Sequence, residues 1–215
     1  MIALLLAPAS WSQQTAQEQS TPSSSSSSQH SRKPSPEKSV HIDMGSVSSG
    51  MYRNQAFGFT CKIPAGWVLR TEEMNARQDG EPEQDAGKSG RVLLAAFSRP
   101  PQAKAEDVNS SILIAAESAV AYPGLKEAVQ YFGPVTEIAK AQGFEVVSEP
   151  YEFEIAAKKV VRGDFQKDIG TRVMRQSTVV ILERGYAVSL TFIGGTEDEV
   201  EELVQGLSFS AGAKK

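Results

Sequence analysis

The sequence predicts an α+β protein, an α/β/α sandwich with a central, mainly antiparallel sheet of about six to seven strands and helices on both faces. Three patterns predict this fold class. Several segments alternate between apolar and polar residues, two segments are apolar throughout, and two stretches carry apolar residues at the period of a helix. Alternation is typical of a strand with one buried face, whereas a continuous apolar run is typical of a strand covered on both faces. We therefore expect layers on both sides of the sheet.

The last part of the chain, residues 185–209, shows the clearest pattern. Large side chains at alternate positions predict a strand that ends at Gly194 and Gly195. Thr196 and Glu199 have the spacing of a capping box, which predicts that a helix starts there. The apolar residues of this helix recur at i, i+3, i+4 and i+7, namely Val200, Leu203, Val204 and Leu207. This stripe is expected to pack on the preceding sheet, and a short strand closes the unit.

The other strands are predicted, from alternation or apolar runs, over residues 57–63, 92–97, 112–116, 146–153, 155–165 and 171–183. Gly170 and the pair Arg184-Gly185 predict tight turns between the last strands. A helical pattern runs from residue 122 to residue 143, and Gly133-Pro134 inside it predicts a kink or a break. The polar stretch 70–90 predicts a loop inserted into the domain.

The chain divides into four predicted parts. Residues 1–12 form an apolar run that is too short to span a bilayer and lacks a basic start, so they are predicted to be a truncated or cleaved secretory signal. Residues 13–50 are rich in Ser, Pro and Gln and are predicted to form a disordered tether. Residues 51–210 are predicted to form a single domain, and 211–215 a disordered tail. We therefore expect an exported protein, periplasmic or extracellular, without a transmembrane segment in the mature chain.

Three segments of the predicted domain resemble a known family. The segment from Tyr52, YRNQAFGF, leads into Ile63-Pro-Ala-Gly-Trp67, a meander of strands covers residues 153–193, and residues 185–209 close the domain. Together they resemble the PsbP-like fold family, which includes the extrinsic photosystem II protein, a small Ran-binding import factor and many exported bacterial proteins of unknown role. The resemblance covers nearly the whole domain and implies a sandwich used for binding or assembly rather than catalysis. The polar stretch 70–90 departs from the family, and no residue role is carried over.

Charge and composition exclude several functions. The net charge of −4 and the pI of about 5.4 provide no basic field for nucleic acid, so no nucleic-acid partner is expected. The two histidines, His30 and His41, fall in the predicted tether, which excludes histidine-based catalysis and an ordinary catalytic zinc from the domain. Cys61 is the single cysteine, so it forms no intrachain disulfide and is expected to be a buried thiol. We predict no catalytic residue and no cofactor.

A weak calcium site is the metal site that the sequence suggests. Asp79, Glu81, Glu83 and Asp85 place carboxylates at alternate positions, and Ca²⁺ prefers oxygen ligands. The segment lacks the turn glycine and the distant bidentate glutamate of an EF-hand loop. A solvated loop without metal is therefore the default interpretation.

Paired carboxylates across a cleft hydrolyse glycosides without a histidine. Glu117 lies at the end of an apolar strand, and Asp164 or Glu183 would be its partner, because these acids have apolar neighbours. Acidic residues at strand ends usually face water instead. A carboxylate-based hydrolase is therefore the second alternative function.

Trp67, Arg70 and Tyr122 are the candidates for an interaction surface. An aromatic side chain after a Pro-Gly turn can anchor a partner, although a tryptophan at such a place more often plugs the edge of the core. The sequence thus predicts an exported non-enzymatic binding or assembly module whose partner is an unknown envelope or extracellular protein. The first alternative is a small-ligand or cation carrier that uses a cleft between sheet and helix.

Overall fold

A computed structural model of the chain describes residues 42–79, 90–100, 108–155 and 158–210. The strands in these ranges are β1 (Ser46–Ser48), β2 (Met51–Asn54), β3 (Phe59–Lys62), β4 (Val68–Leu69), β5 (Arg91–Phe97), β6 (Ser111–Ser118), β7 (Glu145–Ile155), β8 (Lys158–Ile169), β9 (Arg172–Glu183), β10 (Tyr186–Gly194) and β11 (Leu207–Phe209). The α-helices are α1 (Thr71–Asp79), α2 (Phe132–Ala141) and α3 (Glu197–Gln205), and short 3-10 turns occupy Ala119–Ala121 and Ala128–Tyr131. Among these described helices, none combines the length and the apolar character that crossing a membrane requires.

Two antiparallel sheets organise the domain. The larger has seven strands in the order β4-β5-β6-β10-β9-β8-β7, and the smaller has four in the order β1-β2-β3-β11. The predicted α+β class with a central antiparallel sheet is therefore confirmed. The tight turn between β9 and β10 is also as predicted, because Arg184 and Gly185 both have positive φ, 51° and 80°, as a two-residue hairpin turn requires.

Alternation along the long strands sends side chains to opposite faces of the larger sheet. On one face, Val188 and Leu190 of β10 pack in a cluster with Leu203 of α3 and with residues of the smaller sheet. On the other, Ala187 and Phe132 belong to a second cluster, built around α2 and the turn before it. These are called the α3 face and the α2 face. The stripe predicted on the last helix packs as expected for Val200, Leu203 and Val204, whereas Leu207 lies beyond the helix, in β11.

The helix predicted between residues 122 and 143 is shorter in the structure. α2 begins at Phe132, so Gly133-Pro134 lies in its first turn and does not break it. Proline is tolerated there because the first backbone N–H groups of a helix have no acceptor within it. Phe132 anchors this start against the sheet, since a Cβ atom on Gly163 of β8 would lie 2.6 Å from the Phe132 ring.

The prediction of a loop over residues 70–90 is wrong for its first half, where residues 71–79 form α1. Side-chain hydrogen bonds to the edge of β5 hold this polar helix. Thr71 Oγ1 accepts from the Ala95 N–H at 2.9 Å, and the Asn75 amide donates to the Val92 carbonyl at 2.8 Å and accepts from the Val92 N–H at 3.1 Å. The helix therefore needs no apolar stripe.

The domain begins earlier than the predicted boundary at residue 51. Residues 42–50, assigned from the sequence to the disordered tether, are structured and include β1. The buried Tyr52 donates its hydroxyl hydrogen to the Met44 carbonyl at 3.0 Å, and Asn54 donates to the Asp43 carbonyl at 2.8 Å. The remainder of the tether, the predicted signal over 1–12 and the predicted tail over 211–215 lie outside the described residues.

Two local predictions concern Cys61 and the start of α3. Cys61 is fully buried between the sheets, and burial raises the pKa of its thiol to about 12, so the expected inert thiol is confirmed. At α3, Thr196 Oγ1 accepts from the Glu199 N–H at 3.1 Å, as predicted. The Glu199 carboxylate accepts from the Gly195 N–H at 2.8 Å rather than from Thr196, so the reciprocal bond of the capping box is displaced by one residue.

Candidate functional site

The two ends of the larger sheet, where its strands begin and end, are built differently. At one end Phe97 of β5, Ser111 of β6 and Ile193 of β10 lie side by side. At the other end Ser118 of β6 lies beside Tyr186 of β10, next to Glu117. These are called the Phe97 end and the Glu117 end. Each carries residues that the sequence singled out as candidates.

A tight turn places Trp67 at the Phe97 end. The chain leaves β3, passes through Pro64 and Gly66, and enters β4, whose Val68 pairs with Phe97. Gly66 has φ of +83°, a left-handed conformation that glycine adopts without the steric cost of a Cβ atom. Trp67 follows at once, so its indole lies at the edge of the core and packs against the buried cluster of the α3 face.

An open groove of about 600 Å³ surrounds this tryptophan, and we call it the Trp67 groove. Its walls are Val47, Ser49, Gly50, Met51, Lys62, Ile63, Pro64, Ala65, Gly66, Trp67 and Leu69. Val47 of β1 is 41% exposed and Leu69 of β4 is 47% exposed. Lys62 is the charged residue among these walls. The groove is therefore largely apolar and open to solvent, and it lies between the outer strands of the two sheets.

Arg70 follows Leu69, but its side chain is already engaged. The guanidinium pairs with Glu73 at 2.8 Å and lies over the Phe97 ring, 5.1 Å from its centre. The hydrogen bond to Glu73 raises the pKa of Arg70, so the group stays charged. The arginine thus fixes α1 to β5 beside the Trp67 groove and is not among the residues that line the groove.

Tyr122 lies at the Glu117 end, so the structure does not bring it near Trp67. Its hydroxyl donates to the buried Glu117 carboxylate, and its ring meets Tyr131 edge to face with centroids 5.1 Å apart. Burial, followed by the hydrogen bond to Glu117, raises the pKa of Tyr122. Burial and the charge of Glu117 also raise the pKa of Tyr131. These contacts close the Glu117 end with side chains of the protein itself.

The proposed pairing of Glu117 with Asp164 or Glu183 is wrong, because the acids lie on opposite faces of the sheet. Glu117 is bonded among the tyrosines of the α2 face. Asp164 accepts from Arg162 at 2.9 Å, and Arg162 also donates to Glu201 of α3. Glu183 pairs at 3.2 Å with Lys158, whose ammonium lies over the Phe209 ring of β11 on the α3 face. No cleft therefore separates the two members of either pair.

The calcium candidates fall mostly beyond the described residues. Asp79 is the last residue of α1, whereas Glu81, Glu83 and Asp85 lie outside the described ranges. Within those ranges, the structure contains no group of three His, Cys, Asp or Glu side chains that could hold a metal ion. The calcium site stays a prediction.

Sequence reasoning located Trp67 but missed the two exposed large apolar residues that line the same groove, Val47 and Leu69. No alternation of apolar and polar residues predicts the position of Leu69, because β4 is only two residues long. Val47 stands alone in a serine-rich stretch that composition assigns to the tether. The pairing of β1 with β2 brings Val47 to the groove, and this pairing leaves no signal in the local sequence.

No family model and no curated protein matches the chain. Solved structures similar to it include cyanobacterial PsbP from Synechocystis sp. PCC 6803, at 14% identity over 80% of this chain and 95% of that chain, with a TM-score of 0.41. LpqN of Mycobacterium tuberculosis, described as involved in cell envelope biogenesis, is similar at 14% identity over 71% of this chain and 83% of that chain, with a TM-score of 0.35. A mutant of the protein Mog1 is similar at 16% identity over 69% and 79%, also with a TM-score of 0.35. PsbP, after which the resembled family is named, is among these similar structures, and no property of them is carried over to this chain.

Proposed function

We propose that this protein is an exported, non-enzymatic binding module that holds a protein partner in the Trp67 groove. The observation that carries the proposal is the open concave surface shared by Val47, Trp67 and Leu69 at the Phe97 end. Single exposed apolar residues are ordinary on a protein surface. Apolar residues that line one concavity beside a half-buried tryptophan are typical of a site where a partner excludes water.

The walls of the groove favour an extended partner segment with apolar side chains and a nearby acidic residue. Burying Leu69 and Val47 under such a segment would contribute about 25 cal/mol for each Å² of apolar surface removed from water. Lys62 would face the acidic residue of the partner. Backbone pairing would add little, because β4 offers an edge of two residues. The side chains of the partner would therefore supply most of the specificity.

Export and the layered architecture complete the proposal. The apolar start of the chain and the Ser-rich segment after it support a location in the periplasm or outside the cell, where the partner would be an envelope or extracellular protein. We also infer that α3 with the smaller sheet on one face, and α2 on the other, make the α/β/α sandwich that the sequence predicts. The sandwich would serve as a rigid support for the groove.

Capture of the partner from an envelope extract, with a matched pair of variants, tests this function. Leu69→Ser removes an apolar wall of the groove, whereas Val147→Ser removes an equally exposed apolar side chain from β7, where Val147 is 54% exposed. Both changes are at exposed sites, so each should alter the free energy of unfolding by no more than about 0.5 kcal/mol. We expect one protein to be captured by the wild-type chain and by Val147→Ser but lost with Leu69→Ser. Equal capture by both variants would contradict a site in the groove.

A further inference from the structure

A second concave site lies at the Phe97 end, where β5, β9 and β10 meet the start of α3. It has a volume of about 770 Å³. Its walls are Ser98, Arg99, Val108, Ser110, Arg172, Val173, Arg175, Gly195, Thr196, Glu197 and Glu199. We call it the arginine pocket, after Arg99, Arg172 and Arg175. None of its residues lines the Trp67 groove.

The backbone around the pocket is held by side-chain hydrogen bonds. Asn109 Oδ1 accepts from the Ser98 hydroxyl at 3.0 Å and from the Arg99 N–H at 3.1 Å. The Ser98 N–H donates to the Ser110 carbonyl at 2.8 Å. The strand ends on both sides of the pocket are therefore fixed to each other. The backbone of Arg99, from which its side chain extends, is held in place by these bonds.

Arg175 is the arginine on which the inference rests. It pairs with Gly194 of β10 and Gln166 of β8 in the sheet, and its side chain is half-buried. Within the described part of the chain, its guanidinium takes part in no hydrogen bond or salt bridge. A guanidinium without such a partner keeps its donors available, so it would stabilise an anion that enters the pocket.

The two acidic residues of the pocket are engaged elsewhere and leave the guanidinium of Arg175 without a counter-charge among the described residues. The Glu199 carboxylate accepts from the Ser110 hydroxyl and from the Gly195 N–H, so both of its oxygens are already bonded. Glu197 is exposed at the rim. Among the described residues of the pocket, neither carboxylate therefore bonds to the guanidinium of Arg175. The acidic first turn of α3 opposes an anion at the helix terminus itself, which places the binding groups on the strands.

We propose that the arginine pocket binds a small organic anion that carries a carboxylate or phosphate group. The planar guanidinium matches both groups with two parallel hydrogen bonds. The volume is in the range of small-molecule sites, roughly 300–1,000 Å³, and exceeds what a single inorganic ion needs. Val108 and Val173 would contact the carbon skeleton of the ligand. The first alternative function was a small-ligand or cation carrier, and this proposal makes the ligand a small anion.

Calorimetric titration of the full chain with sodium citrate and with inorganic phosphate, each at constant ionic strength, tests the proposal. Citrate probes carboxylate ligands and phosphate probes phosphorylated ones. We expect at least one of them to bind, and Arg175→Gln to weaken that binding about 10- to 100-fold, as the loss of a charge-assisted hydrogen bond predicts. Arg53→Gln, the same change at an exposed site on β2, should leave the affinity unchanged.

The other outcomes overturn the proposal. It fails if neither anion binds the wild-type chain, or if Arg175→Gln and Arg53→Gln have equal effects. Should Arg175→Gln unfold the chain, Arg175→Lys takes its place and should also weaken binding, because an ammonium group cannot form the two parallel hydrogen bonds of a guanidinium. Leu69→Ser should not affect anion binding, because Leu69 lies in the other groove. The failure of one site is therefore distinguishable from the failure of the other.

Discussion

The two ends of the larger sheet differ in the contacts that their side chains make. At the Glu117 end, a buried carboxylate is bonded to Tyr122, and Tyr131 packs edge to face on that tyrosine. At the Phe97 end, Leu69 remains about half exposed, and Arg175 has no salt bridge within the described ranges. At the Glu117 end the buried polar groups bond to one another and Val120 is exposed on a 3-10 turn, whereas at the Phe97 end exposed apolar side chains line one groove and Arg175 has no counter-charge among the described residues.

This difference separates residues that stabilise the fold from residues that are available for binding. A buried group with all its partners contributes to the free energy of unfolding when it is changed. An exposed group on a concave surface contributes little to folding and can contribute much to association. The Glu117 end should therefore respond to substitution in stability, and the Phe97 end in binding.

The largest effect on stability is expected for Phe132→Ala, next to Tyr131. Phe132 is 2% exposed and anchors α2 against Gly163, so its loss leaves a cavity under the helix. We expect the free energy of unfolding to fall by about 3–5 kcal/mol, measured by urea denaturation. Val120→Ala, at a residue that is 86% exposed, is the control and should change it by no more than about 0.5 kcal/mol. Similar values for the two variants would mean that α2 is not packed as described.

The next effect is a pH dependence that Tyr131→Phe should remove. Burial raises the pKa of Tyr131 in the folded state above the ordinary value for tyrosine, which is about 10. The folded state therefore keeps this proton at pH values where the unfolded state loses it. The stabilisation is complete below about pH 10 and is lost as the pH rises toward the folded pKa, at about 1.4 kcal/mol per pH unit.

Urea denaturation from about pH 9 to about pH 11 measures this slope. The free energy of unfolding of the wild type should fall more steeply with pH than that of Tyr131→Phe. The difference in slope should approach about 1.4 kcal/mol per pH unit, which corresponds to one proton. Tyr52 also has a pKa raised by burial, to about 12, so the variant keeps part of the pH dependence. Parallel curves for the two proteins would show that Tyr131 is not buried beside Glu117.

A smaller effect is expected at the Phe97 end for Gly66→Ala. Gly66 has φ of +83°, and among the described residues no atom beyond Gly66 and its two chain neighbours lies within 4 Å of the position that a Cβ would take. The cost is thus backbone strain alone, about 1–2 kcal/mol. Gly133→Ala in the first turn of α2 is the matched control, with equally open surroundings and no positive φ, and should be neutral or slightly stabilising. Equal thermal stability of both variants would contradict the turn that positions Trp67.

The long strands could be predicted because their signals are local. The strand predicted to end at Gly194 and Gly195 is β10, Tyr186–Gly194, since alternate residues such as Val188 and Leu190 are buried on one face. The turn at Arg184-Gly185 was likewise marked by its own residues. The helix stripe of α3 could be read in the same way.

Apart from Trp67, the features around the candidate site could not be predicted, because they depend on distant contacts. α1 has no apolar stripe, and it is held by Asn75, which bonds a backbone position seventeen residues away. Val47 comes to the groove through a strand pairing in a serine-rich segment. Tyr122 was expected on the surface, but it is bonded to Glu117, and the arginine pocket joins residues from four separate parts of the chain.

The central claim is that the Phe97 end, and not the Glu117 end, receives a protein partner. Incorporation of a photo-crosslinking phenylalanine analogue at Leu69 or at Val120 tests it directly, because both residues are exposed and lie at opposite ends of the sheet. After irradiation in an envelope extract of the source organism, the account predicts one discrete adduct from position 69 and none from position 120. An adduct from position 120, or none from position 69, would contradict it.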